Sequence, residues 1–210
     1  MKHHIAILIM AAGKASRFGA CKQLQRFGDS NMLQKLVDEA NAIFDPVTAQ
    51  HTFVVTGCYH QAISERIEHA NFIYNPHWER GLGASIAFGV SALSENQAIK
   101  YDGLVIVLAD QIAIHTQQLT PLLRNFTGEN IVCAYYAGTN GVPALFPRRY
   151  FTQLQALMGD KGAKRLLNPE SKNTQLEIVS IRMPEAGVDI DTPDDFREHI
   201  AKEDPMRDLG

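Results

Sequence analysis

Short, continuous runs of apolar residues, separated by segments of helical periodicity, are the feature that most restricts how this chain can fold. The runs are rich in Ile and Val and are apolar on both faces, which is typical of strands buried inside a mostly parallel sheet. They cover residues 5–10, 53–56, 104–108, 131–136 and 176–181.

The segments between these runs predict helices that cover the sheet. Apolar residues at helical spacing indicate one amphipathic helix over residues 32–44 and another over 119–126, with Pro121 at its start or in its first turn. Thr192 followed by Pro193 and two acids predicts the capped start of a third helix. The alternation predicts an α/β fold, a three-layer α/β/α arrangement around a Rossmann-like, mostly parallel sheet.

Domain organisation and the position of the site follow from this pattern. We expect a single domain over residues 1–200 and a charged C-terminal tail over residues 201–210. Ligands of such sheets bind beyond the carboxyl ends of the strands. The loops after Ala11 and after Ala109 should therefore carry the chemistry.

The charge balance excludes some classes of protein and hides an asymmetry. With 20 basic and 23 acidic residues the net charge is −3, which argues against a nucleic-acid or membrane-surface binder. Residues 1–28 nevertheless hold five basic residues and no acid. No apolar run approaches the roughly 18 residues of a membrane span. The 3 cysteines are scattered, which favours a cytoplasmic protein.

The loop after the first strand has the residue types of an anion site. Gly13 and Gly19 flank a stretch of small residues that lets backbone N–H groups approach an anion, while Arg17 and Lys22 add positive charge. The spacing fits neither a Walker A loop nor a dinucleotide fingerprint. We interpret it as a triphosphate loop of another geometry; an ordinary tight turn with solvated basic residues is the alternative.

Two acids are candidate metal ligands. Asp110 ends an apolar strand, where an unpaired carboxylate is costly to bury, so a metal ion or the start of a helix near Thr116 would stabilise it. A hard cation such as Mg²⁺ selects carboxylate oxygens and completes its shell with phosphate and water. Asp191 precedes Thr192 and is either a second ligand or part of the helix cap.

A glycine-rich segment around Ser85 is a candidate platform for a base or a ribose, with a closely packed helix start as the alternative. No Ser/His/Asp or Cys/His arrangement is suggested, so covalent catalysis has no support from the sequence.

Several motifs in one order resemble the nucleotidyltransferases of the glycosyltransferase-A-like fold, and among them the molybdenum cofactor cytidylyltransferases. The motifs are Ala11-Ala12-Gly13-x-x-Ser16-Arg17-Phe18-Gly19 with Lys22, Asn75-Pro76-x-Trp78-x-x-Gly81-Leu82-Gly83-x-Ser85, Ala109-Asp110-Gln111, Gly141-Val142-Pro143, Gly159-Asp160-Lys161-Gly162-Ala163 and Asp189-Ile190-Asp191-Thr192-Pro193. The resemblance implies a sheet of the nucleotide-diphospho-sugar transferase type.

The resemblance also implies roles for individual residues. Arg17, Lys22 and Asp110 would be catalytic, and Asp110 with Asp191 would hold Mg²⁺, or Mn²⁺ in its place. The segments from residues 141 and 159 would face the acceptor substrate. The nucleotide-binding residues would be Ala11, Ala12, Gly13, Ser16, Arg17, Lys22, Asn75, Gly81, Ser85 and Asp110.

The implied reaction is transfer of CMP from CTP to the phosphate of molybdenum-molybdopterin, with release of pyrophosphate. A molybdenum hydroxylase or its maturation chaperone would be a transient partner, and neither a nucleic acid nor a membrane is expected to be one. Ala12 favours CTP, because the GTP-using branch tends to carry Gly there. Val142 replaces a common His and leaves open another acceptor, a sugar phosphate or methylerythritol phosphate. A non-catalytic nucleotide-binding module is the other alternative.

Overall fold

The computed structural model describes residues 3–16, 18–44, 46–95, 99–169, 177–190 and 192–203. Its strands are β1 Ile5–Ala11, β2 Arg26–Phe27, β3 Ser30–Asn31, β4 Thr52–Thr56, β5 Asn71–Tyr74, β6 Gly103–Leu108, β7 Ile131–Tyr136, β8 Thr139–Pro147 and β9 Ile178–Arg182. Its α-helices are α1 Met32–Asn41, α2 His60–Ser64, α3 Leu82–Glu95, α4 Thr116–Arg124, α5 Phe151–Gln155, α6 Lys164–Leu167 and α7 Pro193–Glu203.

Among the described residues, one sheet joins seven strands in the order β5-β4-β1-β6-β8-β7-β9. β8 runs antiparallel to β6 and β7, and the other neighbours are parallel. The β1 side chains are buried on both faces, because one apolar cluster packs α1 and α4 against one face and another packs α3 and α5 against the other. The predicted three-layer α/β fold is confirmed.

Most of the predicted elements are present, with shifted bounds. The first predicted helix ends at Asn41 instead of residue 44. The prediction for Pro121 was wrong, because α4 begins at Thr116 and places the proline in its second turn. At the start of α7, Thr192 Oγ1 accepts a hydrogen bond from the Asp195 amide at 3.2 Å, and Asp195 Oδ2 accepts one from the Thr192 amide at 2.7 Å, which confirms the predicted cap.

The topology decides where the candidate residues meet. The parallel strands β1, β4 and β6 end at the same edge of the sheet, and the loops after Ala11 and Leu108 adjoin there. None of the described helices has the length and apolarity that crossing a membrane requires. Part of the predicted tail, residues 204–210, lies outside the described residues.

Candidate active site

Two adjoining cavities open at this edge and share Met10, Gly13 and Leu82; together we call them the cleft. The inner cavity, of about 200 Å³, is lined by Met10, Gly13, Ala15, Lys22, Gln23, Leu82, Leu108, Ala109 and Asp110. The outer cavity, of about 270 Å³, is lined by Met10, Ala12, Gly13, Trp78, Glu79, Gly81, Leu82, Ser85 and Asp160. The cleft therefore brings together residues that are far apart in the sequence.

An ion pair stands in the inner cavity. Lys22 Nζ lies 2.9 Å from Asp110 Oδ2 and donates a second hydrogen bond to the Ile190 carbonyl oxygen at 2.7 Å. The Lys22 side chain is 10% exposed and that of Asp110 is 23% exposed. The ammonium group is thus fixed at the carboxylate end of β6 and at the segment that precedes α7.

The second oxygen of the same carboxylate is the most informative atom of the site. Asp110 Oδ1 is buried, and none of the residues that the structure describes donates a hydrogen bond to it. A buried carboxylate oxygen without a donor is costly, so it indicates a place for a cation. The alternative role, a cap for the helix near Thr116, belongs to another acid: Glu39 Oε2 accepts from the Thr116 amide at 2.7 Å.

Gln111 holds the Asp110 loop in place and has no exposed surface. Its Nε2 donates to the carbonyl oxygens of Val142 and Ala186, both at 2.8 Å, and its Oε1 accepts from the Leu108 amide at 3.2 Å. One side chain therefore ties the end of β6 to β8 and to the turn before residue 190. Gln111 belongs to the Ala109-Asp110-Gln111 motif, but this positioning role was not predicted, because no local sequence pattern reveals contacts with Val142 and Ala186.

Behind the outer cavity, Asn75 and Ser85 form a buried polar pair. Asn75 Nδ2 lies 3.1 Å from Ser85 Oγ, and Asn75 Oδ1 accepts from the His77 amide at 2.9 Å. Ser85 lines the outer cavity, so Asn75 fixes the side chain of a wall residue. Gly81, in the same wall, has a φ of 98°, which favours glycine.

The remaining predicted residues divide into three groups. Ala12 and Gly13 line the cleft, whereas Ala11 is buried in β1 and Ser16 is exposed in the turn that follows. Arg17 and Asp191 lie outside the described residues. Among the described residues no group of three or more His, Cys, Asp or Glu side chains could hold a metal ion, so the described part of the chain offers Asp110 without a cluster of such ligands.

A further cavity, of about 430 Å³, lies at the end of β7; we call it the β7 cavity. Its lining consists of Tyr135, Tyr136, Ala137, Arg182, Pro184 and Gly187. Burial first, and then the charges of Asp189 and Asp110, raise the pKa of the Tyr136 phenol. The charge of Asp110 therefore affects Tyr136, which also lines the β7 cavity.

Two of the described thiols, those of Cys133 and Cys21, do not favour nucleophilic chemistry. Burial raises the pKa of Cys133 to about 11, although a hydrogen bond with Ser180 opposes the shift. Burial also raises the pKa of Cys21. Both groups are protonated at neutral pH, and only the thiolate is a strong nucleophile.

Comparison with known proteins places this geometry in a family. Residues 7–176 match the model described as the MobA-like NTP transferase domain. The purine catabolism protein PucB of Bacillus subtilis (strain 168) is 31% identical over 121 residues, which are 56% of this chain and 55% of PucB. The chain therefore matches about half the length of that curated relative.

Solved structures share the fold over nearly the whole chain. A homologue of Rv0371c from Mycobacterium sp. strain JC1 has a TM-score of 0.72 and 26% identity, covering 94% of this chain and 96% of that one. Rv0371c of Mycobacterium tuberculosis H37Rv, in complex with manganese, has a TM-score of 0.69 and 23% identity, covering 94% and 98%. The fold is that of the nucleotide-diphospho-sugar transferases.

Proposed function

The chain belongs to the family of MobA-like NTP transferase domains, and from this premise we propose that it transfers CMP from CTP to the phosphate of molybdenum-molybdopterin. The reaction would release pyrophosphate and form molybdopterin cytosine dinucleotide, which would pass to a molybdenum hydroxylase or its maturation chaperone. The observation that carries the proposal is the buried Asp110 oxygen, which accepts no hydrogen bond from the described residues and lies beside Lys22 in a cleft that the loop after β1 also lines.

The residues of the inner cavity fit a divalent cation. Asp110 offers a buried anionic oxygen to which no residue of the described ranges donates, and Mg²⁺ is commonly held by one or two carboxylates together with substrate phosphates. We propose Mg²⁺, or Mn²⁺ in its place, with Asp191 as a second ligand. When bound, the cation would neutralise charge on the phosphate oxygens.

The chain's own residues would align the reactants and balance charge. The acceptor phosphate is largely ionised at pH 7, since its second pKa is about 6, so the reaction needs no general base. One of its oxygens forms a bond to the α-phosphorus while the bond to the leaving pyrophosphate breaks, and pyrophosphate takes that electron pair. Lys22 and Arg17 would offset the negative charge that develops on the leaving group.

The acceptor would approach from the β7 cavity. An in-line displacement requires the acceptor and the leaving group on opposite sides of the α-phosphorus, and the β7 cavity shares no lining residue with the cleft that would hold the triphosphate. Arg182 would attract the acceptor's phosphate, and the tyrosine rings would pack against a flat heterocycle. The Val142 carbonyl oxygen accepts a hydrogen bond from Gln111. Because this contact is made by the backbone, it does not depend on whether Val or the common His stands at position 142.

One experiment tests nucleotide and acceptor together. The protein is incubated with Mg²⁺, molybdenum-loaded molybdopterin and each of the four NTPs in turn, and pyrophosphate is measured. We expect release with CTP. Release with GTP instead would overturn the choice of nucleotide, which depends on Ala12.

A second set of reactions tests the acceptor. CTP is supplied with methylerythritol phosphate or a sugar phosphate in place of molybdopterin, and we expect little pyrophosphate. Efficient release with either compound would replace the proposed acceptor. Nucleotide binding that needs no Mg²⁺ and leads to no turnover would favour a non-catalytic module.

A further inference from the structure

The segment before α6 forms part of the cleft wall, although the sequence motif places it with the acceptor. The Gly83 amide, in the first turn of α3, donates a hydrogen bond of 2.7 Å to the Gly159 carbonyl oxygen. A Cβ at residue 83 would lie 2.8 Å from the Met158 carbonyl oxygen, so glycine permits this close approach. The backbone next to Asp160 is thereby fixed against the start of α3.

Asp160 lines the outer cavity together with Ala12, Gly13 and Ser85. Asp160 is exposed, and within the part of the chain that the structure describes its carboxylate makes no hydrogen bond or ion pair. An ionised carboxylate only accepts hydrogen bonds and has about four acceptor positions. The wall of the outer cavity therefore carries a carboxylate that is accessible to a ligand, on backbone that the Gly83–Gly159 hydrogen bond holds in place.

The two cavities offer different chemistry to a ligand that spans them. Lys22 and Asp110, the groups suited to phosphates and a cation, line the inner cavity. A nucleoside attached to those phosphates would extend into the outer cavity, where Trp78 offers an aromatic surface and Asp160 an acceptor. Asp160 and the phosphate-binding groups would then contact opposite ends of the same ligand.

We infer that Asp160 is a specificity-determining residue, whose carboxylate accepts a hydrogen bond from the exocyclic amino group of the cytosine base. This inference rests on the proposed function, because it assumes that the cleft binds CTP. Cytosine carries an amino donor where uracil carries a carbonyl oxygen, and a carboxylate attracts the first and repels the second. Asp160 therefore favours CTP over UTP through a polar side chain, which neither Ala12 nor Gly13 has.

The test uses the single tryptophan of the chain as a reporter. Trp78 lines the outer cavity, so its fluorescence follows occupancy without any acceptor. Dissociation constants for CTP and UTP are measured with Mg²⁺ for the wild type and for Asp160→Asn. We expect the wild type to prefer CTP and the preference to fall about tenfold in Asp160→Asn, the size of one hydrogen bond to a charged group.

A matched control removes the same charge elsewhere. Asp38 is exposed on α1, and Asp38→Asn should keep the wild-type preference. A CTP analogue lacking the exocyclic amino group gives a second measurement that needs no variant. It should bind the wild type about tenfold more weakly than CTP does.

The outcomes separate this inference from the proposed function. An unchanged CTP/UTP preference in Asp160→Asn, or an equal loss of both nucleotides, would overturn the inference, and the second result would indicate contact with the ribose. Equal wild-type affinity for CTP and the analogue would overturn it as well. Failure of the proposed function looks different: the wild type itself then binds no NTP or releases no pyrophosphate.

Discussion

Asp110 uses its two carboxylate oxygens differently, and this division is the basis of its proposed role. One oxygen pairs with Lys22 at 2.9 Å, while the other is buried and has no donor in the described part of the chain. An amide in place of the carboxylate could still accept a hydrogen bond from Lys22 but would lose the negative charge that holds a cation.

We therefore expect Asp110→Asn to lower turnover by about two orders of magnitude or more, while some CTP binding, followed by Trp78 fluorescence, survives. Pyrophosphate release is the measurement. Asp102→Asn, at the opposite end of β6, is the matched control, because the amide can still accept from the His4 amide. Near-wild-type release by Asp110→Asn would remove the residue from the metal site.

Gln111 acts on the same site through the backbone. Its side chain is completely buried and pairs three backbone groups, of Leu108, Val142 and Ala186. Removing it leaves two carbonyl oxygens and one amide unpaired in the interior, each at a cost of about 1 kcal/mol or more.

Gln111→Met should accordingly reduce the free energy of unfolding by about 2–4 kcal/mol, measured by urea denaturation. Gln61→Met on the exposed surface of α2 is the control and should change that free energy by less than about 0.5 kcal/mol. Equal stability of the two variants would contradict the positioning role. In the folded Gln111 variant we also expect kcat to fall more than the affinity for CTP.

At the scale of elements, Glu39 on α1 joins that helix to the start of α4 through hydrogen bonds with Thr116. Glu39 on α1 accepts from the Thr116 amide at 2.7 Å and from Thr116 Oγ1 at 2.6 Å, and it lies 3.1 Å from His115 Nδ1. Burial by itself would raise the pKa of Glu39, but these hydrogen bonds and the nearby His115 outweigh burial and lower it from 4.5. The ionised form thus stabilises the fold.

Because the folded-state pKa of Glu39 is depressed, its contribution is present above the unfolded value of 4.5 and is lost as the pH falls through the folded value. Glu39→Gln should cost about 1 kcal/mol of unfolding free energy at pH 7. The difference between wild type and variant should shrink below about pH 4.5. Urea denaturation at a series of pH values measures this difference in unfolding free energy. A difference that grows on acidification would contradict a lowered pKa of Glu39 in the folded state.

At the scale of the whole molecule, ligand binding should couple the two sides of the cleft. Its walls come from β1, from the start of α3, from the loop after β6 and from residue 160, so a bound nucleotide would contact segments that are distant in the chain. Anything that binds only the folded state raises its stability, by about 2.7 kcal/mol at a concentration one hundred times the dissociation constant.

At that saturation CTP with Mg²⁺ should raise the Tm by about 5–10 °C, since 1 kcal/mol corresponds to about 2–4 °C for a chain of this size. Thermal denaturation followed by circular dichroism measures the shift. With a chelator in place of Mg²⁺ the same CTP concentration should give a clearly smaller shift. Equal shifts under both conditions would argue against a metal ion in the complex.

Local sequence predicted the central elements and the loops that carry the chemistry. Runs that are apolar on both faces can only be buried in a covered sheet, which is why β1, β6 and β7 were predictable. The small residues after β1, together with nearby basic residues, indicated an anion-binding loop. Two strands were not predicted. Gly141 and Pro143 interrupt the apolar pattern of β8, and β5 is a half-exposed strand at the edge of the sheet. Both are defined by pairing with distant strands, as in Gly103 opposite Pro147.

By itself, then, the sequence determined the three-layer fold, the start of α7 and the candidate role of Asp110, because burial, capping and charge act on neighbouring residues. Only the tertiary structure decided that Lys22 pairs with Asp110, that Gln111 holds their loop and that Asp160 lines the same cleft as Ala12. Each of these contacts joins residues far apart in the chain. Strand order, crossover and a close approach at Gly83 bring them together, and no local pattern encodes those distances.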